Sequence, residues 1–218
     1  MTTFPNSPRL VQGGLVLADP KTARVLRVIV LQYNPDTITR TLQAQGAGAD
    51  SGDRLEALRL KGAPIETIKL DVEVDATDQL ERPDENPKTV ALGLHPLLAA
   101  LETIIYPKAD AVQSNLSLAA AGTLEITPVQ APLTIFVWSA QRVVPVRITE
   151  MSITEEAFDV NLNPMRARIS LGLRVLTTND FEVGHRANGI FFAHHRTKER
   201  LATEVAGELS QLGIRRIP

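Results

Sequence analysis

Apolar and polar residues alternate along several stretches of this chain with the period of two that a half-buried β-strand requires. In IETIKLDVEVD, residues 65–75, Ile68, Leu70, Val72 and Val74 fall on one side and Thr67, Lys69, Asp71 and Glu73 on the other. In MRARISLGLRVLT, residues 165–177, the apolar set Met165, Ala167, Ile169, Leu171, Leu173 and Val175 opposes Arg166, Arg168, Ser170 and Arg174. Each pattern predicts one buried face and one face that is wet or packed on a polar partner. Between them, Val144, Val146 and Ile148 share one parity while Met151 and Ile153 take the other. A one-residue slip of that kind predicts a β-bulge or bend near Thr149–Glu150. Further strands are expected at Gly14–Ala18, Arg24–Tyr33 and Leu133–Trp138, antiparallel by their connection lengths.

Helical periodicity is scarcer. HPLLAALETIIYP puts Leu97, Leu98, Leu101, Ile104 and Ile105 on one face, with Pro96 in the first turn and Pro107 as a stop, so it should pack on the sheet. A second helix is expected from about Arg196 to Leu212. Its stripe of Leu201, Val205, Leu209 and Leu212 is thin for a core and suits docking on a neighbouring subunit. Residues 44–54, 78–88 and 108–124 read as loops. Strand signals stop after Asp180, which divides the chain into a β domain at 1–180 and a C-terminal helical extension at 181–218.

One interruption stands out. The apolar run at 24–33 breaks at Tyr33-Asn34-Pro35-Asp36 and restarts as Thr-Ile-Thr-Arg. Pro35 cannot donate to a ladder, and Asn34 and Asp36 can bond nearby backbone amides. The expectation is a hairpin corner that sets the register of the first strand pair.

Composition narrows the function classes. There are 218 residues, 44% of them hydrophobic, a formal net charge of −2 and no cysteine. A disulfide framework, a thiolate metal site and a cysteine nucleophile are excluded. No Lys/Arg stripe with interleaved aromatics marks a nucleic-acid surface. No apolar run reaches the ~20 residues that span a bilayer, and the first residues, MTTFPNSPRL, lack the pattern of a signal peptide. Membrane insertion is not expected, and assembly in the cytosol is.

Catalytic motifs are absent. No dinucleotide fingerprint, phosphate loop, nucleophile elbow or calcium loop occurs. His194 and His195 are adjacent and would leave a helix on different faces, unlike a helical zinc pair, while His95 and His185 stand apart. Asp71 and Glu73 share a strand face roughly 7 Å apart, within glycosidase carboxylate spacing. Lys69 lies on the same face and aromatics make up only 4% of the chain, so a solvated strand explains them. No metal, cofactor or catalytic residue is expected. Two rival readings remain: an enzyme built on those carboxylates or histidines, and a stand-alone β-sandwich module that binds a glycan or peptide.

The order of the segments carries more. LQYNPDTITR, LKGAPIETIKLDVEVDATD, HPLLAALETIIYP followed by APLTIFVW, and VRITEMSITEEAFDVNLNPMRARISLGLRVLT occur in that sequence. Together they resemble the tube-initiator and baseplate-adaptor domain of contractile injection systems, over about Leu15–Thr178. The departures are Ser139-Ala140 after Trp138, where that family usually has Gly, and a tail at 181–218 too short for the LysM module that many members carry.

The resemblance implies a mainly β fold: an antiparallel β-sandwich or partly closed barrel of tail-tube type with one packed helix. It further implies a non-enzymatic subunit of a hexameric ring that joins the spike hub to the inner tube, with other baseplate proteins as partners, in a particle able to leave the cell. On that reading Tyr33, Asn34, Pro35 and Asp36 form a corner at an interface. Arg166, Arg168 and Arg174 meet carboxylates across protomers or face the lumen. Leu201, Val205, Leu209 and Leu212 dock a partner.

Overall fold

The structure, a computed structural model, describes residues 11–46, 58–122 and 130–217. Seven strands form one fully antiparallel sheet: β1 Gly14–Ala18, β2 Val25–Val30, β3 Ile38–Gln43, β4 Ile65–Asp75, β5 Leu133–Ser139, β6 Arg142–Phe158 and β7 Pro164–Val175. Their order across the sheet is β2-β1-β5-β6-β7-β4-β3. The fold is therefore mainly β, and its hydrogen-bond ladder is not closed.

The alternation in the sequence sets the faces. Ile68, Leu70, Val72 and Val74 of β4 meet Ala167, Ile169, Leu171 and Leu173 of β7 in one core, with Leu15, Leu17 and Ile29 from the far strands and Phe136 and Val144 between them. Each such side chain contributes about 1.5–3 kcal/mol when fully buried. The parity slip falls where expected: the β6–β7 register skips between Ile148 and Glu150, and the extra residue, Thr149, turns its hydroxyl to the Gly172 carbonyl at 3.1 Å.

The sheet curls on itself. Gln32, just beyond β2, donates to the Asp75 carbonyl at 2.7 Å and accepts from the Asp75 amide at 2.8 Å. In strand order β2 is first and β4 sixth, so a flat sheet would hold them about 24 Å apart. β3 covers β4 only as far as Leu70. The free upper edge of β4 is met instead by the side-chain amide of Gln32, which stands in for a ladder pair. The barrel is partly closed by that one residue.

Residues 33–36 are therefore not a hairpin corner. β2 pairs with β1, and β3 pairs with β4. The segment carries the chain from one outer strand of the sheet to the other. Asn34 anchors it by accepting from the Gly13 amide at 2.9 Å and donating to the Val11 carbonyl at 2.9 Å.

Helices fill the space between β4 and β5: α1 Thr77–Leu80, α2 Pro87–Leu92, α3 His95–Glu102 and α4 Ala109–Ala120. Leu98 and Leu101 of α3, with Leu94 and Ile104 at its ends, cap the core, as the periodicity predicts. Two stretches expected as loops contain helix. Pro87 starts α2 in the first at a position where its missing N–H is harmless, and α4 lies in the second, rich in alanine and leucine. Of 44–54, residues 47–54 lie outside the described residues. Gly93 joins α2 to α3 at φ +53°, and a Cβ there would lie 2.5 Å from the Pro164 carbonyl oxygen, which fixes the helices against the start of β7.

The last helix, α5, spans Arg186–Ala202 and packs on β6. It begins ten residues earlier than the stripe predicts and ends at Ala202, past Leu201 but short of the stripe's other three positions. Leu201 lies in its last turn, Val205 beyond it, and Leu209 and Leu212 in a separate 3-10 turn. All four are exposed, but they share no helix face.

Candidate interaction surface

On the outside of the barrel the register lines up two different surfaces. Toward the β2 edge, Val28–Val16–Ile135–Pro145 form one row across four strands, and Val30–Gly14–Val137–Val143 form the next. Every member is apolar; Gly14 and Pro145 are already buried within the chain, and Val16, Ile135, Val137 and Val143 are half-buried. β2 is an outermost strand with nothing beyond it among the described residues, and Val28 and Val30 are 57% and 48% exposed. Arg27, on the inward parity of β2, donates to the Ala100 carbonyl at 3.3 Å and to the Thr103 hydroxyl at 3.1 Å, which ties the strand to α3 and leaves Val28 and Val30 exposed on the outward parity.

Toward β3 the outer rows are polar: Asp71–Ser170–Ser152, Glu73–Arg168–Thr154 and Asp75–Arg166–Glu156. Here the charges meet each other. Arg168 donates to Glu73 at 2.9 Å, Arg166 to Asp75 at 2.9 Å, and the Ser170 hydroxyl to Asp71. Burial pushes the Asp75 carboxyl up, but hydrogen bonds from Thr77 and Arg166 outweigh it and hold the group below its ordinary value. Glu73 holds the Arg168 guanidinium above its usual value through their hydrogen bond and charge.

Three of the residues singled out in the sequence come together here. Tyr33, Arg166 and Arg168 line a cleft of about 330 Å³ with Glu73, Asp75 and Glu156. The Tyr33 hydroxyl donates to Asp78 at 3.1 Å, and partial burial followed by that carboxylate raises its pKa. Arg174 lies elsewhere, donating to Asp180 at 2.8 Å. The carboxylates that Arg166, Arg168 and Arg174 meet are thus in their own chain. Cross-strand neighbours sit about 5 Å apart, so they find each other before any second copy is needed.

One charged cluster was not singled out from sequence. Glu66 of β4 is buried and receives Arg40 at 2.6 Å and Lys198 of α5 at 3.1 Å. Burial raises its carboxyl, and hydrogen bonds from the two cations more than reverse the shift. His194 is buried beside them, with its ring bonded to the Gln141 backbone and Nδ1 left without a partner. Burial, then the nearby Lys198 charge, lowers its pKa. Arg200 also reaches the Gln141 side chain at 3.2 Å. α5 is in this way strapped to the β5–β6 turn and to β4. The signal was in the strand pattern: Glu66 has the same parity as Ile68 and Leu70 and so falls on the buried side.

His195 points away from His194 toward Glu199, as adjacent helical positions require. Among the described residues no group of three or more His, Asp or Glu is arranged to hold a metal ion, and no helix is long and apolar enough to cross a membrane.

No known protein family matches the chain, and no curated protein matches it. Among solved structures it is similar to the tail of an empty GTA particle computed with helical refinement and C6 symmetry. The identity is 11% and the TM-score 0.28, over 75% of this chain and 90% of that one. This is a weak structural neighbour.

Proposed function

We propose that this chain is a structural ring subunit of a contractile-injection-type baseplate, hexameric, placed between the spike hub and the inner tube, where it starts tube assembly. The observation that carries the reading is that two all-apolar rows end at the outermost strand in exposed valines, Val28 and Val30. Water-facing sheets alternate polar outward, and contiguous exposed apolar area marks a surface that something covers. A sheet with two open outer strands meets its own copies head to tail. Such contacts repeat by rotation until the ring closes. The ordered motifs that resemble tube-initiator domains supply the particular setting.

The purified chain, alone and with its hub and tube partners, should form rings visible by negative-stain imaging. Particles that never exceed a monomer with those partners present would sink the reading. Deleting residues after Arg186 separates ring formation from the role of α5: with Lys198 and His194 gone, the barrel should lose stability before it loses self-recognition.

A further inference from the structure

The β6–β7 hairpin ends in a shaped knob. β5 accompanies β6 only to Val146, so the rest of β6 runs on beside β7 alone to Phe158. In the turn, the Asp159 carboxylate accepts from the amides of Asn161 and Asn163, at 2.7 and 2.8 Å, and from the Asn163 side chain at 2.8 Å. Asn163 also donates to the Ala91 carbonyl at 3.2 Å, which pins the turn to α2. Ala157 and Leu162 are held at φ +53° and +64°, a region that costs a non-glycine residue about 1–2 kcal/mol. This rigid frame holds Val160 98% exposed, with Phe158 and Leu162 beside it. A solvated turn has no use for that arrangement.

At the other end of β6 lies an open groove of about 920 Å³. Its floor is apolar: Ile104, Ile105, Pro132, Leu133, Ile148 and Phe181. Lys21, Arg147 and Arg186 stand around it with Glu182, and Asp180 is already bonded to Arg174 and Thr177, which leaves three cations against one carboxylate on the rim. The knob carries the opposite sign through Glu155, Glu156 and Asp159. Knob and groove are separated by ten residues of strand, about 33 Å, so one chain cannot fill its own groove.

We propose that the Phe158–Val160–Leu162 knob of one copy seats in the Ile105–Phe181 groove of the next. This makes a head-to-tail contact that complements the β2 edge. An apolar plug in an apolar groove supplies the attraction, and the acidic collar against the basic rim fixes its orientation. The inference rests on the self-assembling reading above and names which surfaces meet.

The cysteine-free chain allows a direct test. Val160→Cys and Ile105→Cys are made in separate proteins, mixed, and treated with a short bismaleimide. Leu116→Cys, on exposed α4, is the control partner. The Val160/Ile105 pair should join at least tenfold faster than Val160/Leu116, and Val160→Asp with Leu162→Asp should weaken self-association in sedimentation velocity. Equal cross-linking in a chain that still associates would overturn the knob and groove while leaving the ring reading in place. No association at any concentration, alone or with the hub and tube partners, and no excess cross-linking would overturn both.

Discussion

The two halves of the outer barrel surface belong to one sheet and obey one alternation, yet they present opposite chemistry. On the β3 side Arg166 and Arg168 are paired with Asp75 and Glu73 in the chain, so the surface is largely finished. On the β2 side two rows of valine, isoleucine, glycine and proline end at an open strand. The difference shows that hydrophobic patterning serves two purposes here. The inner parity builds the core, and the outer parity of β2, β1 and β5 builds an apolar face whose end at Val28 and Val30 is exposed. α5 bridges the two regions, holding Gln141 of the β5–β6 turn and Glu66 of β4.

The largest effect is expected where the finished half is buried. Glu66→Gln leaves Arg40 and Lys198 beside a neutral amide in a mostly buried site. Removing one partner of a buried pair costs about 3 kcal/mol, which urea unfolding at neutral pH would read as a lowered midpoint with unchanged slope. A loss under 0.5 kcal/mol would mean that the cluster is solvated and that α5 is held by packing alone. Next comes the unfinished half. Val28→Asp with Val30→Asp places two charges on the uncovered rows and should weaken self-association roughly thirtyfold, about 2 kcal/mol. Monomer stability should shift by no more than about 0.5 kcal/mol, because both side chains are already exposed. Unchanged sedimentation would erase the functional contrast between the halves.

Much of the finished half was legible in the chain. The period of two in 65–75 and 165–177 assigns every core residue of β4 and β7, and the parity slip at Thr149 is a bulge. The unfinished half was less so, because VLRVIV is apolar on both parities and alternation alone cannot say which face a neighbour covers. The Asn34-Pro35 interruption is a local signal for a break in the strand, and a break serves equally for a hairpin or a crossover. The long-range strand pairing decides that, since β2 joins β1 and β3 joins β4. The C-terminal stripe misled for a related reason. Small and aromatic contacts of α5, Ala187 and Phe191 among them, carry little helical periodicity beside the conspicuous leucines further on. Glu66 was readable from parity but invisible to a search for motifs.

The strap between the halves should respond to pH. His194 has a folded-state pKa below its ordinary 6.5, so between the two values the unfolded chain binds more protons than the folded one. Stability is then complete above about pH 6.5 and falls as pH drops toward the folded value. Lys198, Glu66 and Arg40 face the ring, and Glu66, itself lowered from 4.5, titrates only in more acid solution. The slope between pH 7 and 5.5 therefore reports His194. In His194→Gln that slope should flatten, and an unchanged slope would move the titration to another group.

The smallest effect tests whether the polar half is truly finished. Arg168 and Glu73 are both more than half exposed, with side chains 58% and 63% accessible, and pairs of that kind contribute about 0–1 kcal/mol. Arg168→Ala should change unfolding free energy by less than about 0.5 kcal/mol, and the difference should shrink as salt shortens the reach of the charge. Self-association should not change, since Arg168 already spends its charge on a cross-strand neighbour. The resemblance pointed the other way, to an arginine that meets a carboxylate of another copy or faces the lumen. If Arg168→Ala weakens association tenfold while leaving the monomer intact, the ladder re-pairs across copies on assembly. The polar half would then be as unfinished as the apolar one, its charges merely parked on each other in the free chain.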